Sequence, residues 1–246
     1  MSADALLTLA GVHTHIGAYH ILHGVDLVVP RGQLTMLLGR NGAGKTTTLR
    51  TIMGLWHASQ GTVTLDGQDI TRRAQCRAWR GGVAYVPENM GIFSDLSVRE
   101  NLLLAARGAR TLDDIDTERL EWIFGLFPAM KKFWLHPAGK LSGGQKQMLA
   151  VSRAIVEPRQ LLLIDEPSKG LAPAIIQNMI EAFRQLKASQ TTILLVEQNF
   201  NFARQLGDSV AVMDDGRVVH SGRMADLAAD EELQARLLGL SLGAHQ

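Results

Sequence analysis

The apolar residues form short continuous runs and longer helical patterns, which together predict a mixed α/β protein. Continuous apolar runs at 34–38, 161–164 and 192–196 are typical of strands that are buried on both faces of a sheet. Between the last two runs, residues 175–187 carry apolar side chains at helical spacing. This order of strand, helix and strand predicts parallel strands joined by a crossover helix.

The pattern changes twice before the second of these runs. Up to about Asp69 the chain has alternating or β-branched residues, which predict short strands. From about 89 to 157 the apolar spacing is helical, and Ser97 and Glu100 have the spacing of a capping box. This middle segment therefore predicts a helical insertion.

The C-terminal part adds a hairpin and a helix. Asp215-Gly216 lies between two apolar stretches and predicts a hairpin turn, and 224–238 predicts one last helix. The simplest assembly is a single domain, 1–246. It would contain a doubly wound α/β sheet, a helical subdomain at about 89–157 and a small antiparallel β subdomain.

Composition narrows the class of protein. The 246 residues are 46% apolar and 20% charged, which is ordinary for a soluble domain. A net charge of +1 gives no general attraction to nucleic acid, so we expect no nucleic-acid partner. No apolar run approaches the roughly 20 residues that cross a bilayer, and residues 1–15 lack the pattern of a signal peptide. With Cys76 as the only cysteine, we expect a cytoplasmic protein.

A glycine-rich loop follows the apolar run at 34–38 and precedes a helical pattern. Its sequence, GRNGAGKTT, fits the phosphate-loop pattern GxxxxGK[ST]. Glycines let the backbone bend around an anion, and the next helix adds its positive end. Lys45 would reach the β- and γ-phosphates of a nucleotide, and Thr46 would hold Mg²⁺. The predicted nucleotide-binding residues are Gly39, Arg40, Asn41, Gly42, Ala43, Gly44, Lys45, Thr46 and Thr47.

Two acidic residues end the apolar run at 161–164. Asp165 is placed to hold Mg²⁺ through water, opposite Thr46. Glu166 is one residue further along, so it points to the other side of the strand end. It could orient or deprotonate the water that attacks the γ-phosphate. The alternative is a surface turn of acidic residues, which the upstream phosphate loop disfavours.

The segment LSGGQ, 141–145, lies directly before a helical pattern. Ser142 is a suitable N-cap, and Gly143 and Gly144 leave the first N–H groups of the helix uncovered. These features predict an anion site, but the phosphate loop already serves the nucleotide of the same chain. From spacing alone, a plain capped helix start is the competing interpretation.

The motifs GRNGAGKTT, LSGGQ and LLLIDEP, in this order, resemble those of the ATP-binding cassette (ABC) ATPases over essentially the whole chain. The resemblance implies a P-loop NTPase core with a helical and a small antiparallel β subdomain. It also implies two cassettes that face each other head to tail. Ser142, Gly143 and Gly144, with Gln145 completing the motif, would then close over the γ-phosphate held by a second ABC ATPase subunit, in a homodimer or a heterodimer.

One departure from the family concerns the strand after the acidic pair. In the family this strand usually ends with a His that contacts the γ-phosphate, and here that position is Gln198. An amide donates a hydrogen bond to phosphate but carries no proton near neutral pH. We therefore expect Gln198 to contact the γ-phosphate and Glu166 to do the acid–base work. The alternative is that Gln198 merely ends a strand.

Further departures affect the metal, the dimer axis and the base. Glu88 replaces the usual Gln near Mg²⁺ and the membrane subunit, and it is a candidate metal ligand. Lys169 and Ala172 occupy positions where the family often has a Ser and an Asp. The adenine-stacking aromatic is replaced by Ile16, with Tyr19 three residues later. Both residues are candidates to cover the base.

Four segments, VPE, LSGGQKQMLA, GLAP and VEQN, together resemble the smaller ATPase subunit of branched-chain amino-acid importers. The resemblance implies ATP and Mg²⁺ as cofactors, separate transmembrane permease subunits and an external substrate-binding protein. The chain would be peripheral on the inner face of the membrane. Urea and short-chain amide importers have similar subunits. An exporter subunit and a soluble, non-transport cassette are two further hypotheses for the same motifs.

Three remaining features have simpler interpretations. Histidines 13 and 15 form a tight pair without a third ligand at metal spacing, which disfavours a transition-metal site. The basic segment 72–80 could form a surface for phosphate or lipid, but its pattern favours a solvated helix face. Met53, Trp56 and Phe93 could line a groove for a helix of a membrane subunit, or they could pack in the core.

Overall fold

The computed structural model describes residues 4–72, 82–106, 111 and 114–239. Ten strands in this part of the chain form two sheets. The strands are β1 Ala5–Ile16, β2 Tyr19–Pro30, β3 Leu34–Gly39, β4 Ala58–Leu65, β5 Gln68–Asp69, β6 Val83–Val86, β7 Leu161–Asp165, β8 Thr192–Glu197, β9 Ser209–Asp214 and β10 Arg217–Arg223.

Helices lie between these strands and after them. The helices of the described residues are α1 Lys45–Ile52, α2 Val98–Ala105, α3 Thr117–Leu126, α4 Pro128–Lys132, α5 Gly143–Ile155, α6 Pro173–Ala188, α7 Phe200–Ala203, α8 Met224–Ala229 and α9 Glu231–Leu238. Helices α2 to α5 fall inside the segment where a helical subdomain is predicted. The division into subdomains stays a prediction.

The larger sheet has the strand order β10-β9-β3-β8-β7-β6. The five strands β9, β3, β8, β7 and β6 run parallel to one another. The edge strand β10 is antiparallel to β9. The smaller sheet is antiparallel, with the order β2-β1-β4-β5. The expected α/β sheet, antiparallel sheet and hairpin at Asp215-Gly216 are confirmed.

The larger sheet is buried on both faces, as its continuous apolar runs predict. Along β3, Leu37 faces a core shared with the smaller sheet and α1, whereas Met36 and Leu38 face the core beneath α5 and α6. All of β3, β7 and β8 is buried. The carboxyl ends of these three strands therefore meet at one edge of a rigid sheet, where function is usually located in this architecture.

The C-terminal region contains two helices in place of the single one expected at 224–238, so that prediction is wrong. Asp230 separates α8 from α9, and its side chain accepts a hydrogen bond from the N–H of Leu233 at 2.8 Å. An N-cap aspartate starts a new helix in this way. Apart from Arg72, the basic segment 72–80 lies outside the described residues.

Candidate active site

The loop between β3 and α1 is shaped by glycines. Gly44 has φ 102° at the start of α1, and a Cβ added there would lie 2.9 Å from Leu22 Cδ2. A side chain would be strained there by the backbone conformation, and Leu22 would have to move to admit it. Within the described residues, no side chain caps the start of α1. Its first N–H groups are thus available to an anion.

Lys45 is folded back into this loop. It is 5% exposed, and its Nζ donates to the carbonyl oxygens of Gly39 at 2.8 Å and Arg40 at 3.0 Å. Nζ also lies 3.6 Å from Glu166 Oε1. Burial lowers the pKa of Lys45, and the charge of Glu166 opposes this effect. A phosphate group would give the ammonium a better partner than the loop carbonyls.

Asp165 is fully buried at the end of β7. Thr46 Oγ1 donates to Asp165 Oδ1 at 3.2 Å, and the Tyr85 hydroxyl donates to Oδ2 at 3.4 Å. Burial raises the pKa of Asp165 to about 6, although the Thr46 hydrogen bond lowers it. Tyr85 lies on the neighbouring strand β6, and no sequence signal indicates this contact. The side-chain oxygens of Thr46 and Asp165 thus lie close together at the carboxyl edge of the sheet.

Glu166 adopts a left-handed backbone conformation, with φ 46°. Such a conformation is uncommon for a non-glycine residue and is often found at functional sites. Glu166 Oε1 faces Lys45, whereas Oε2 lies 3.4 Å from Lys169 Nζ. Since the side chain is 9% exposed, the carboxylate is held between two cations at the mouth of the site.

Glu88 lies on the loop after β6, where its Oε1 accepts from Lys169 Nζ at 2.5 Å. Its charge also contributes to the raised pKa of Asp165, after the larger effect of burial. Its role as a metal ligand stays a prediction. The Lys169 contact with Glu88 has no signal in the sequence, since it joins two separate loops, whereas Glu166 and Lys169 are three residues apart in one loop.

Gln198 lies one residue beyond β8, and its side chain reaches the phosphate loop. Its Nε2 donates to Asn41 Oδ1. Gly39, Arg40, Asn41 and Gln198 line a cleft of about 340 Å³ together with Phe200 and Leu238. The structure therefore brings Lys45, Asp165, Glu166 and Gln198 to one edge of the sheet.

The LSGGQ segment is not part of this cluster. Ser142 Oγ accepts from the N–H of Gln145 at 3.3 Å, and Gln145 Oε1 accepts from the N–H of Ser142 at 2.9 Å, which completes a capping box. Ser142 and Gly143 are exposed, while Gly144 packs against Ile175 of α6. Within the described residues, no hydrogen bond joins these groups to the phosphate loop.

The two adenine candidates lie at the end of the β1–β2 hairpin. Ile16 and Tyr19 are paired across the strands, and Tyr19 is 76% exposed. The hairpin also brings His20 onto His13 and His15, with His13 Nδ1 and His20 Nε2 3.0 Å apart. Nevertheless, within the described residues no three His, Cys, Asp or Glu side chains are grouped to hold a metal.

The fold and site define a P-loop nucleotide-binding protein, since an anion-binding loop and an acidic pair meet at the carboxyl edge of a parallel sheet. The family model "ABC transporter" matches residues 22–169, which is more than half of the chain. The chain belongs to this family, as its motifs suggest. It is an ATP-binding protein whose ATP hydrolysis is coupled to transport.

Curated relatives resemble the chain over nearly its full length. The high-affinity branched-chain amino acid transport ATP-binding protein BraG of Pseudomonas aeruginosa is 38% identical, with 95% of this chain and 100% of BraG covered. A probable branched-chain amino acid transport ATP-binding protein, LivF of Archaeoglobus fulgidus, is 34% identical over 90% of this chain and 93% of its own length. The resemblance to this branch of the family is confirmed.

Solved structures agree with the fold. An ATP-binding subunit of an ABC transporter has a TM-score of 0.80 at 29% identity, with 95% of this chain and 96% of that chain covered. A nucleotide-free ATP-binding cassette from an ABC transporter has a TM-score of 0.80 at 23% identity, with 97% and 100% covered. The P-loop core with helices and a second, antiparallel sheet is thereby confirmed.

Proposed function

We propose that the chain is the ATP-hydrolysing motor subunit of an importer for branched-chain amino acids. The observation that carries the motor function is the meeting of Lys45, Asp165, Glu166 and Gln198 at one edge of the sheet. The similarity to BraG and LivF supports the substrate class.

Mg²⁺ suits the oxygen ligands at this edge. Thr46 Oγ1 and Asp165 Oδ1 are 3.2 Å apart, and a site with few protein ligands is typical of Mg²⁺ that is shared with phosphate and water. Thr46 would hold the ion directly and Asp165 would hold it through water, with Glu88 as a further candidate. Mg²⁺ would neutralise charge on the β- and γ-phosphates of ATP.

The chain's own groups would divide the hydrolysis reaction between them. The phosphate-loop N–H groups and Lys45 would bind and orient the triphosphate. Glu166 would accept a proton from the attacking water at a carboxylate oxygen. Gln198 would donate a hydrogen bond from Nε2 to the γ-phosphate. Since Gln198 Nε2 already points to Asn41 in the phosphate loop, it would need only a local movement to do so.

A second ABC ATPase subunit would complete the site. Ser142, Gly143, Gly144 and Gln145 make no hydrogen bond to their own phosphate loop in the described chain, and Ser142 and Gly143 are exposed. We therefore assign them to the γ-phosphate of the facing subunit. Ile16 and Tyr19 remain the candidates to cover adenine.

An apolar groove of about 560 Å³ would receive a helix of a permease subunit. Phe93 and Leu104 line it and are 48% and 60% exposed, and Leu55 also lies along it. Met53 is fully buried, which favours core packing for that residue. Tyr85 lines the same groove and donates to Asp165, so one side chain connects the groove to the carboxylate that would hold Mg²⁺.

No described helix is both long and apolar enough to cross a membrane. We assign the chain to the inner face of the cell membrane, where it would be held by permease subunits. An external binding protein would deliver the substrate to them. Affinity capture from solubilised membranes tests this assignment. Recovery of permease subunits would support it, whereas recovery of only soluble partners would favour a non-transport cassette.

The substrate class needs a separate test. The cognate external binding protein should show thermal stabilisation by leucine, isoleucine or valine, and the loaded protein should stimulate ATP hydrolysis by the reconstituted complex. Stabilisation by urea or short-chain amides, and not by these amino acids, would contradict the substrate proposal and leave the motor function intact.

A further inference from the structure

Glu197, the last residue of β8, is a buried carboxylate whose partners are backbone N–H groups and the side chain of Ser168. It is 2% exposed. Its Oε1 accepts from the N–H of Ser168 at 2.9 Å, and its Oε2 accepts from the N–H groups of Gln198 at 3.0 Å and Asn199 at 3.2 Å. Burial raises the pKa of Glu197, whereas the hydrogen bonds from the Ser168 side chain and from these backbone N–H groups oppose the shift. Burying a carboxylate costs free energy, and the hydrogen bonds that Glu197 accepts offset part of this cost.

One oxygen of Glu197 fixes the loop that carries Glu166. The N–H of Glu166 donates to the Val196 carbonyl at 3.0 Å. Pro167 has no N–H, so Ser168 supplies the next donor, and that donor goes to Glu197. The backbone around Glu166 is therefore tied to the end of β8 at two points. These ties hold Glu166 in its left-handed conformation, with φ 46°.

The other oxygen of Glu197 fixes the segment that carries Gln198. It binds the N–H of Gln198 and that of Asn199. Asn199 in turn caps α7 by accepting from the N–H of Phe202 at 3.1 Å. The direction in which the Gln198 side chain leaves the sheet thus depends on the same carboxylate that ties down the Glu166 loop.

We propose that Glu197 is a positioning residue for ATP hydrolysis, which sets Glu166 and Gln198 at a fixed separation across the attacking water. This inference rests on the proposed roles of Glu166 and Gln198. In this inference Glu197 acts through Glu166 and Gln198 and is assigned no contact with the nucleotide or the attacking water. Its two oxygens connect the loop of Glu166 to the segment of Gln198. The distance between Glu166 and Gln198 is therefore set by this carboxylate and does not depend on loop motion.

An amide in place of this carboxylate would break the arrangement. Glutamine has nearly the same shape, but one of its two terminal groups is an NH₂ donor. That NH₂ would face either the N–H of Ser168 or those of Gln198 and Asn199, and donors cannot pair with donors. Aspartate keeps both acceptors but is shorter by one methylene, so it would retain part of the link.

The test measures kcat, KM and the melting temperature of the full chain with ATP and Mg²⁺ for Glu197→Gln and Glu197→Asp. Rates are expressed per ATP-binding-competent molecule. Glu181→Gln, on the exposed face of α6, is the matched control. We expect Glu197→Gln to lower kcat by roughly ten- to a hundredfold with KM changed by less than about threefold, because misplaced groups slow chemistry more than binding. Glu197→Asp should be intermediate.

A double-mutant cycle separates positioning from stability. In a Gln198→Ala background, Glu197→Gln should lower kcat by a clearly smaller factor, because part of what it positions is already missing. Equal factors in both backgrounds, or a parent-like kcat in Glu197→Gln, would overturn the inference.

If Glu197→Gln does not fold, Glu197→Asp decides, and a parent-like kcat in that variant overturns the inference. If the parent chain hydrolyses no ATP, the proposed function itself fails. If Gln198→Ala equals the parent, the proposed role of Gln198 fails, and the inference about Glu197 fails with it.

Discussion

The Gln198 side chain donates a hydrogen bond from Nε2 to the Oδ1 of Asn41 and so joins the end of β8 to the phosphate loop. Both residues are exposed at the mouth of the site. A γ-phosphate entering the loop would offer Nε2 a charged acceptor in place of an amide oxygen. When the nucleotide binds, Gln198 Nε2 is therefore suited to give up its hydrogen bond to Asn41 and to donate to the γ-phosphate.

Replacing Gln198 with Ala should slow hydrolysis more than it weakens binding. The variant loses a donor to the γ-phosphate but keeps the phosphate-loop N–H groups and Lys45. We expect kcat to fall by about tenfold or more, whereas the Kd for ATP changes by less than about threefold. Steady-state kinetics and nucleotide titration measure the two quantities. Gln185→Ala, on the exposed face of α6, is the control. An unchanged kcat in Gln198→Ala would mean that Gln198 merely ends a strand.

Replacing Glu166 with Gln should stop turnover and leave ATP binding intact. The amide keeps the shape of the side chain but cannot accept a proton from water. We expect a loss in kcat of about a hundredfold or more, measured as phosphate release. The exposed Glu181→Gln variant should behave as the parent. Hydrolysis by Glu166→Gln at the parent rate would show that another group is the base.

Lys45→Ala should lose ATP binding or hydrolysis. The Lys45 ammonium is buried against the carbonyl oxygens of Gly39 and Arg40, and no other lysine side chain of the described residues occupies that position. Fluorescent-nucleotide titration and phosphate release are the measurements. Lys131→Ala, which removes an exposed lysine paired with Glu121, should leave both unchanged. Retained activity in Lys45→Ala would contradict the assignment of the phosphate loop.

Asp165→Asn should stabilise the protein in the absence of nucleotide, and more so at high pH. The folded-state pKa of Asp165 is about 6, above the ordinary value of 3.8, so the folded protein binds this proton more tightly than the unfolded chain does. As pH falls through 6, Asp165 becomes protonated in the folded parent, and its unfavourable contribution to the free energy of unfolding decreases. Above pH 6 the parent bears the full cost of a buried charge, which the amide avoids.

The expected gain for Asp165→Asn is about 2–3 kcal/mol at pH 8 and roughly half of that at pH 5. Chemical denaturation in the presence of EDTA measures it, because bound Mg²⁺ would favour the charged form. Asp226→Asn, on the exposed face of α8, is the control for the chemical substitution. A gain that grows toward low pH would have the wrong sign.

The elements that surround the site could be predicted because their signals are local. β3, β7 and β8 are continuous apolar runs, and the capping box at Ser97 and the N-cap at Ser142 depend on neighbouring residues. Parallel strands then bring their carboxyl ends together without further information. The phosphate loop and the acidic pair thus follow from sequence order alone.

The contacts between loops could not be predicted in the same way. The ion pair of Lys169 with Glu88, the hydrogen bond from Tyr85 to Asp165 and the bond from Ser168 to Glu197 each join segments far apart in the chain. No periodicity encodes which side chains of neighbouring strand ends meet. The break between α8 and α9 escapes prediction because one N-cap aspartate overrides an otherwise helical pattern.

The central claim is that ATP is clamped between the phosphate loop of one subunit and the Ser142 helix start of another. The most direct measurement is the solution mass of Glu166→Gln, by light scattering, with ATP and Mg²⁺ and with ADP. The experiment is run with the chain alone and with any related cassette subunit that co-purifies with it. The account predicts a dimer with ATP that dissociates with ADP and does not form when Ser142 is also replaced by Arg. A monomer that binds ATP under every one of these conditions would contradict it.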